Sequence, residues 1–133
     1  MHKLIFMMVL AALSNVALAA WQVVETTPEV TIYLDPATVK RTGNRATLWI
    51  LLDYKQAQPD KTGKKVLSDK VQYQFDCKEK QYQTISTSAH TGNMAGGEIV
   101  NINPDPPKLT PVAAGTLDEV FLQRACGTGK TKK

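Results

Sequence analysis

Val71-Gln72-Tyr73-Gln74-Phe75-Asp76-Cys77 alternates apolar and polar side chains without a break. Successive strand residues point to opposite faces, so Val71, Tyr73 and Phe75 share one face while Lys70, Gln72, Gln74 and Asp76 share the other. Cys77 continues the inward phase, which places its sulfur at the edge of a core. The tight charged turn Lys78-Glu79-Lys80 follows, and Gln81 to Ala89 is expected to return beside the first strand as a hairpin.

Reading toward the N-terminus, Gln56 to Lys65 is polar, contains Pro59 and Gly63, and carries Lys61, Lys64 and Lys65; it predicts an exposed hairpin loop. Arg45 to Tyr54 is the strongest strand signal. Leu48-Trp49-Ile50-Leu51-Leu52 is apolar on both alternating faces, as a central strand covered on each side would be. Arg41-Thr42-Gly43-Asn44 is turn chemistry. Trp21 to Glu25 and Val30 to Leu34 predict short strands, the second ended by Asp35-Pro36, because proline lacks the N–H that a ladder needs.

Toward the C-terminus, Gly92 to Gly97 predicts a glycine-rich turn, and Glu98 to Ile102 a last short strand. Asn103 to Pro111 holds four prolines, which excludes regular helix and central sheet and predicts a surface linker. Thr116 and Glu119 form a capping box at the start of a helix. Leu117, Val120, Phe121 and Ala125 share one face of it, Cys126 sits on its last turn, and Gly127 is the stop. About ten residues of helix do not persist alone, so this one must dock. The expected fold is α+β: one antiparallel sheet of about six strands with a single C-terminal helix docked on it.

The N-terminus sets the compartment. Lys3, the apolar run Leu4 to Leu13, the polar pair Ser14-Asn15 and then Ala17-Leu18-Ala19 have the layout of a cleavable secretory signal, residues 1–19. The apolar run falls short of the roughly 20 residues that a bilayer core requires. No cysteine follows it, so the exported chain is expected to be released, periplasmic or secreted, rather than lipid-anchored; membrane contact would come only after export. Removing 19 residues from 133 leaves one ordinary domain, residues 20–127, and a basic tail, 128–133.

Two cysteines remain, and in an oxidising compartment a lone pair, Cys77 and Cys126, is most simply a disulfide that pins the helix to the inner face of the sheet. The formal net charge of the full sequence is +4. The excess of bases gathers in the loop, at Lys61, Lys64 and Lys65, and in the tail, at Lys130, Lys132 and Lys133, leaving a mildly acidic body. These basic appendages either keep the chain solvated or meet an anionic surface. Nucleic acid is not an expected partner, since no aromatic-basic motif is present.

Catalytic signals are sparse. Past the signal segment the only histidine is His90, beside the glycine turn and without a nucleophile signature, and it reads as structural. One histidine and a bonded cysteine pair do not make a structural zinc site, and no cofactor is expected. Gly127-Thr128-Gly129-Lys130-Thr131 imitates the end of a phosphate loop, but that motif's first glycine would fall at Arg124 inside the helix. Asp53 and Asp76 end strands without any sign that they meet.

The order of features has a counterpart. Trp21 begins the mature region, a strand ends at Asp35, and Leu48-Trp49 lies in a long strand ending Asp53-Tyr54. Ser68 precedes the Asp76-Cys77 strand; then come a Tyr82 strand, the Met94 to Gly97 turn, and the Gly115-Thr116 cap of a helix ending in Cys126. This resembles the surface-adhesin protein E family of Gram-negative bacteria. The resemblance implies an antiparallel sheet tethered to its C-terminal helix by Cys77 and Cys126, in an envelope protein whose best-known relative is a lipoprotein adhesin for host matrix and serum proteins. The resulting expectation is a non-enzymatic secreted or envelope binding protein of adhesin-like type, possible surface display included, with a protein or anionic surface as partner and Lys61, Lys64 and Lys65 as its candidate contacts. The second reading is a periplasmic inhibitor or assembly factor acting on another envelope protein.

Overall fold

The computed structural model describes residues 20–102 and 108–127. Residues 1–19, expected to be a signal segment, the Lys130-Lys132-Lys133 tail and the proline-rich stretch 103–107 lie outside the described residues. Seven strands build one antiparallel sheet: β1 Gln22–Thr26, β2 Val30–Thr42, β3 Arg45–Pro59, β4 Lys65–Asp76, β5 Gln81–His90, β6 Ile99–Asn101 and β7 Thr110–Pro111. β1 to β6 lie side by side in chain order, and β7 pairs with β5 beyond the meander. The helix α1 spans Leu117–Cys126.

Register divides the sheet into two faces, because cross-strand partners share a face. Leu34 pairs with Ile50, Leu48 with Tyr73, Ala46 with Phe75 and Phe75 with Tyr82. These residues, with Ile32, form the surface on which α1 lies through Phe121, Leu122 and Ala125. Tyr73 is the centre of the aromatic contact, stacked on Phe121 at 5.9 Å between ring centroids and edge-on to Tyr82 at 5.5 Å. Burial in this cluster raises the Tyr73 hydroxyl to a pKa of about 12, with Asp118 and Tyr82 adding to the effect.

The helix differs from the sequence reading in which residue turns inward. Val120 is 39 % exposed and Leu122 is buried in its place, since the helix meets the sheet through a face centred on Phe121. The capping box holds: Glu119 donates its N–H to Thr116 Oγ1, and its carboxylate accepts from Gly115 N. The Cys77–Cys126 disulfide ties the last turn of α1 to the end of β4 across a sequence separation of 49.

Asp35-Pro36 does not end β2. The strand continues to Thr42 through a bulge between Asp35 and Lys40. Pro36 sits where no ladder N–H is required, and the chain is held locally instead. The Asp35 carboxylate, 3 % exposed, accepts from Ala20 N and Ala37 N, while Thr38 Oγ1 donates to Asp35 O and accepts from Trp49 N.

Two further expectations shift. The loop foreseen over Gln56–Lys65 contracts to Asp60–Lys64, because both strands run on into it. The last short strand is Ile99–Asn101 rather than Glu98–Ile102, and the linker ends by adding β7 to the edge of β5. The second face of the sheet is mixed. Leu51 is fully buried there, and Lys70 places its ammonium 4.6 Å above the centre of the half-buried Trp49 ring.

Candidate functional site

β3, with 15 residues, is the longest strand, and the far ends of β3 and β4 outrun their neighbours. β2 begins at Val30 opposite Tyr54, and β5 ends at His90 opposite Ser68. From Lys55 to Leu67 the pair therefore has no flanking strand among the described residues, and it projects as a two-stranded arm. Lys55, Lys61, Lys64 and Lys65 are all exposed on it, with Asp60 as its only acid.

The tip is a defined turn. Gly63 N donates to Asp60 O at 3.0 Å and Asp60 N to Lys64 O at 2.9 Å, closing the hairpin over Lys61 and Thr62. Gly63 has φ +82°, the left-handed residue that this bulged turn demands. Asp60 Oδ1 accepts from Thr62 N, Thr62 Oγ1 and Lys64 N at 2.7 to 2.9 Å. The Thr62 hydrogen bond, aided by backbone donors and Lys64, holds the Asp60 carboxyl below the usual range. The acid is absorbed into the turn's own backbone, and the lysine ammonium groups are left facing solvent.

The root of the arm is irregular and clamped. Between the Asp53–Ser68 and Gln58–Val66 pairs, Tyr54 to Ala57 of β3 face Leu67 alone on β4. Such a bulge leaves backbone groups without ladder partners. Lys55 N donates to Glu29 O at 3.0 Å, and the glycine turn serves Tyr54: Asn93 Nδ2 donates to Tyr54 O at 3.1 Å and to the Asp53 carboxylate at 3.0 Å. Met94 N donates to Asp53 Oδ1 at 2.8 Å, and Ala95 N to the fully buried Ser68 hydroxyl, which itself donates to Gly92 O. Met94 and Ala95 take φ of +57° and +59°, a left-handed pair that side chains resist and these bonds enforce. Gly97 is required for another reason: a Cβ there would lie 2.3 Å from Thr91 Oγ1 and 2.8 Å from Gly92 N. Tyr54 donates its hydroxyl to Asp69, and burial with that carboxylate raises the phenol's pKa, keeping it protonated.

Lys61, Lys64 and Lys65 are thus brought together, at the tip of a structured arm. Sequence reading missed Lys55, which the lengthened strand adds to the arm, and the clamp of Asp53, Ser68 and Asn93. A hint was legible in Ser68 and Asn93, polar residues beside a strand start and a glycine turn, but their partners lie 24 to 41 positions away.

His90 is 6 % exposed, with Nε2 sharing a 2.8 Å hydrogen bond with Ser88 Oγ. Its Nδ1 has no partner among the described residues, so no third group orients the ring toward a nucleophile. Burial lowers its pKa, and Lys70 lowers it further against an opposing pull from Asp69. Asp53 is occupied by the clamp and Asp76 by the Lys78 and Glu79 N–H groups of its turn, so the two carboxylates serve separate backbones. Among the described residues no cluster of His, Cys, Asp and Glu could hold a metal ion.

The sequence model of surface-adhesin protein E matches residues 21–127. The chain belongs to the surface-adhesin protein E family. Solved structures of Haemophilus influenzae protein E share its fold. One superposes with a TM-score of 0.61 at 8 % identity, covering 77 % of this chain and 88 % of that one. Another, at TM-score 0.61 and 9 % identity, covers 81 % and 94 %. The protein E of non-typeable Haemophilus influenzae gives 0.60 at 8 % identity, covering 76 % and 72 %. A search of curated proteins gave no match. Membership makes this an adhesin-like protein of the cell envelope, in a fold where sheet, helix and disulfide take the arrangement expected of the family.

Proposed function

We propose that the protein is a non-enzymatic adhesin-like binding protein, exported by its N-terminal signal over residues 1–19, and that the β3–β4 arm is its contact with an anionic partner. The observation that carries this reading is the arm itself. Lys61, Lys64 and Lys65 stand on a turn whose only acid is bonded into the backbone, beyond the end of the sheet and away from the core. Side chains in that position can meet a partner without disturbing the fold, and the tight turn reduces the ordering cost of binding.

Attraction between such exposed charges is screened over about 8 to 10 Å at physiological salt. Binding of the purified protein to intact host-cell monolayers is therefore expected to weaken as salt rises, and to fall in the Lys61→Gln, Lys64→Gln, Lys65→Gln variant with melting unchanged. Equal adherence of variant and wild type would remove the arm from the contact. N-terminal sequencing of the exported chain tests the other half of the reading, with Ala20 expected as the first residue.

A further inference from the structure

By residue count the body of the chain is not basic, yet the topology sorts its charges. The β2–β3 turn, the β4–β5 turn and the last turn of α1 all lie at the end of the sheet opposite the arm, the last two joined by the disulfide. Cys77 N donates to Asn44 O at 2.6 Å, and Arg41 Nη1 donates to Cys126 O at 2.5 Å. Lys40, Arg41, Arg45, Lys78, Lys80 and Arg124 are gathered there and all are exposed. The acids among them are Asp76 and Glu79; Asp76 Oδ1 is occupied by two backbone N–H groups of its turn. Asp118 and Glu119 sit on the first turn of the helix, at the end away from Cys126, with Asp118 beside Tyr82.

We propose that this disulfide-bonded end seats on a membrane surface rich in anionic phospholipid headgroups. The cations do not converge on one anion. Arg41 already donates to the carbonyls of Gly43 and Cys126, and the two hairpin turns are held about two strand spacings, roughly 10 Å, apart. The nearby cavity is small, about 60 Å³, and is lined by Arg45, Gln74, Phe75, Asp76, Gln83 and Leu109. A broad, splayed array of this kind matches phosphates that move laterally in a bilayer and meet each charge where it stands. Leu109, 56 % exposed, adds an apolar side chain beside Arg45 at the same rim, the pairing of apolar and cationic groups that interfacial segments use. Seated so, the protein holds its arm on the side away from the membrane. The inference uses none of the arm's residues and is tested separately from the proposed function.

Sedimentation with vesicles is the experiment, using the purified disulfide-bonded protein. Vesicles of phosphatidylcholine with about one-third phosphatidylglycerol should carry it down, pure phosphatidylcholine should not, and binding should fade as salt rises. Arg45, Lys78 and Lys80 make no side-chain hydrogen bond among the described residues, so R45Q/K78Q/K80Q should fold and melt as wild type. Each cation near an anionic surface is worth roughly fivefold in affinity, so the triple variant should lose on the order of 100-fold. The arm variant K61Q/K64Q/K65Q should bind vesicles as wild type does. Failure to sediment with either vesicle, equal sedimentation with both, or equal loss in both triple variants would overturn the proposal. So would capture by a soluble sulfated polysaccharide through Arg45, Lys78 and Lys80 without vesicle binding.

Discussion

The two ends of the sheet are built by opposite means. At one end three separate turns are joined by a disulfide, a guanidinium bonded to a helix carbonyl and a backbone bond from Cys77 to Asn44. At the other a single hairpin runs beyond its neighbours, held at its root by hydrogen bonds from one glycine-rich turn and at its tip by one carboxylate. The first end draws its order from contacts distant in sequence and from a covalent bond. The second draws it from hydrogen bonds between polar groups, without a covalent tie. A protein that must keep its core while offering a surface to a partner gains from this division, because changes at the arm need not reach the core.

Breaking the covalent end should have the largest effect. Closing a loop of 49 residues is worth about 4 kcal/mol on the chain-entropy model. Cys126→Ser should therefore lower the melting temperature by roughly 15 °C or more. In hydrogen exchange, residues 117–126 should lose protection while the arm keeps its own. Equal loosening of both ends would mean the two are not separate.

The clamp can be broken next. Ser68→Ala leaves Gly92 O without its donor and Ala95 N without its acceptor in a fully buried position, at a cost of about 1–3 kcal/mol. Here exchange should rise in residues 92–97 and at the arm's root, with the helix unaffected.

Acid should weaken the fold in a window set by His90. Its pKa is lowered in the fold, so the unfolded chain takes up a proton first. Stability is unaffected above the unfolded value of about 6.5 and declines as pH falls from there toward the lowered folded value. His90→Gln should flatten this part of the melting-temperature profile, and an unchanged profile would assign the window to other groups. Asp60 acts lower: its pKa is depressed, so its contribution is present above the ordinary carboxylate range and is lost only as pH falls through its folded value.

The smallest stability effect is expected from Lys61→Gln, Lys64→Gln, Lys65→Gln, within about 0.5 kcal/mol of wild type, since exposed side chains away from packing contribute little. Thermal melting checks it, and a larger loss would mean that the arm's charges support the fold after all.

Local pattern carried much of this fold. The alternation ending at Cys77, the helix cap at Thr116 and the turn at Gly43 are short-range signals, and each stands where it was expected because the physics behind it acts over a few residues. The errors share a cause as well. Pro36 reads as a strand end from its missing N–H, yet Asp35, Thr38 and the facing Trp49 supply a bulge that spares it the ladder. Gln56 to Pro59 reads as loop because its residues are polar, yet pairing with Val66 and Lys65 keeps it extended. Val120 and Leu122 are equally apolar neighbours on a short helix, and only the seat of Phe121 on Tyr73 decides which turns inward.

The sequence by itself determined the sheet-and-helix composition, the cysteine pair and the basic run at Lys61, Lys64 and Lys65, because each depends on residue type and near spacing. Only the tertiary structure decided that this run stands on an arm, that Asn93 and Ser68 hold its root, and that Lys40, Arg41, Arg45, Lys78, Lys80 and Arg124 share one end. Charge is additive along a chain and so can be counted from sequence. Its field depends on distances in space, and those are set by strand register, by where each turn falls and by the bond between Cys77 and Cys126.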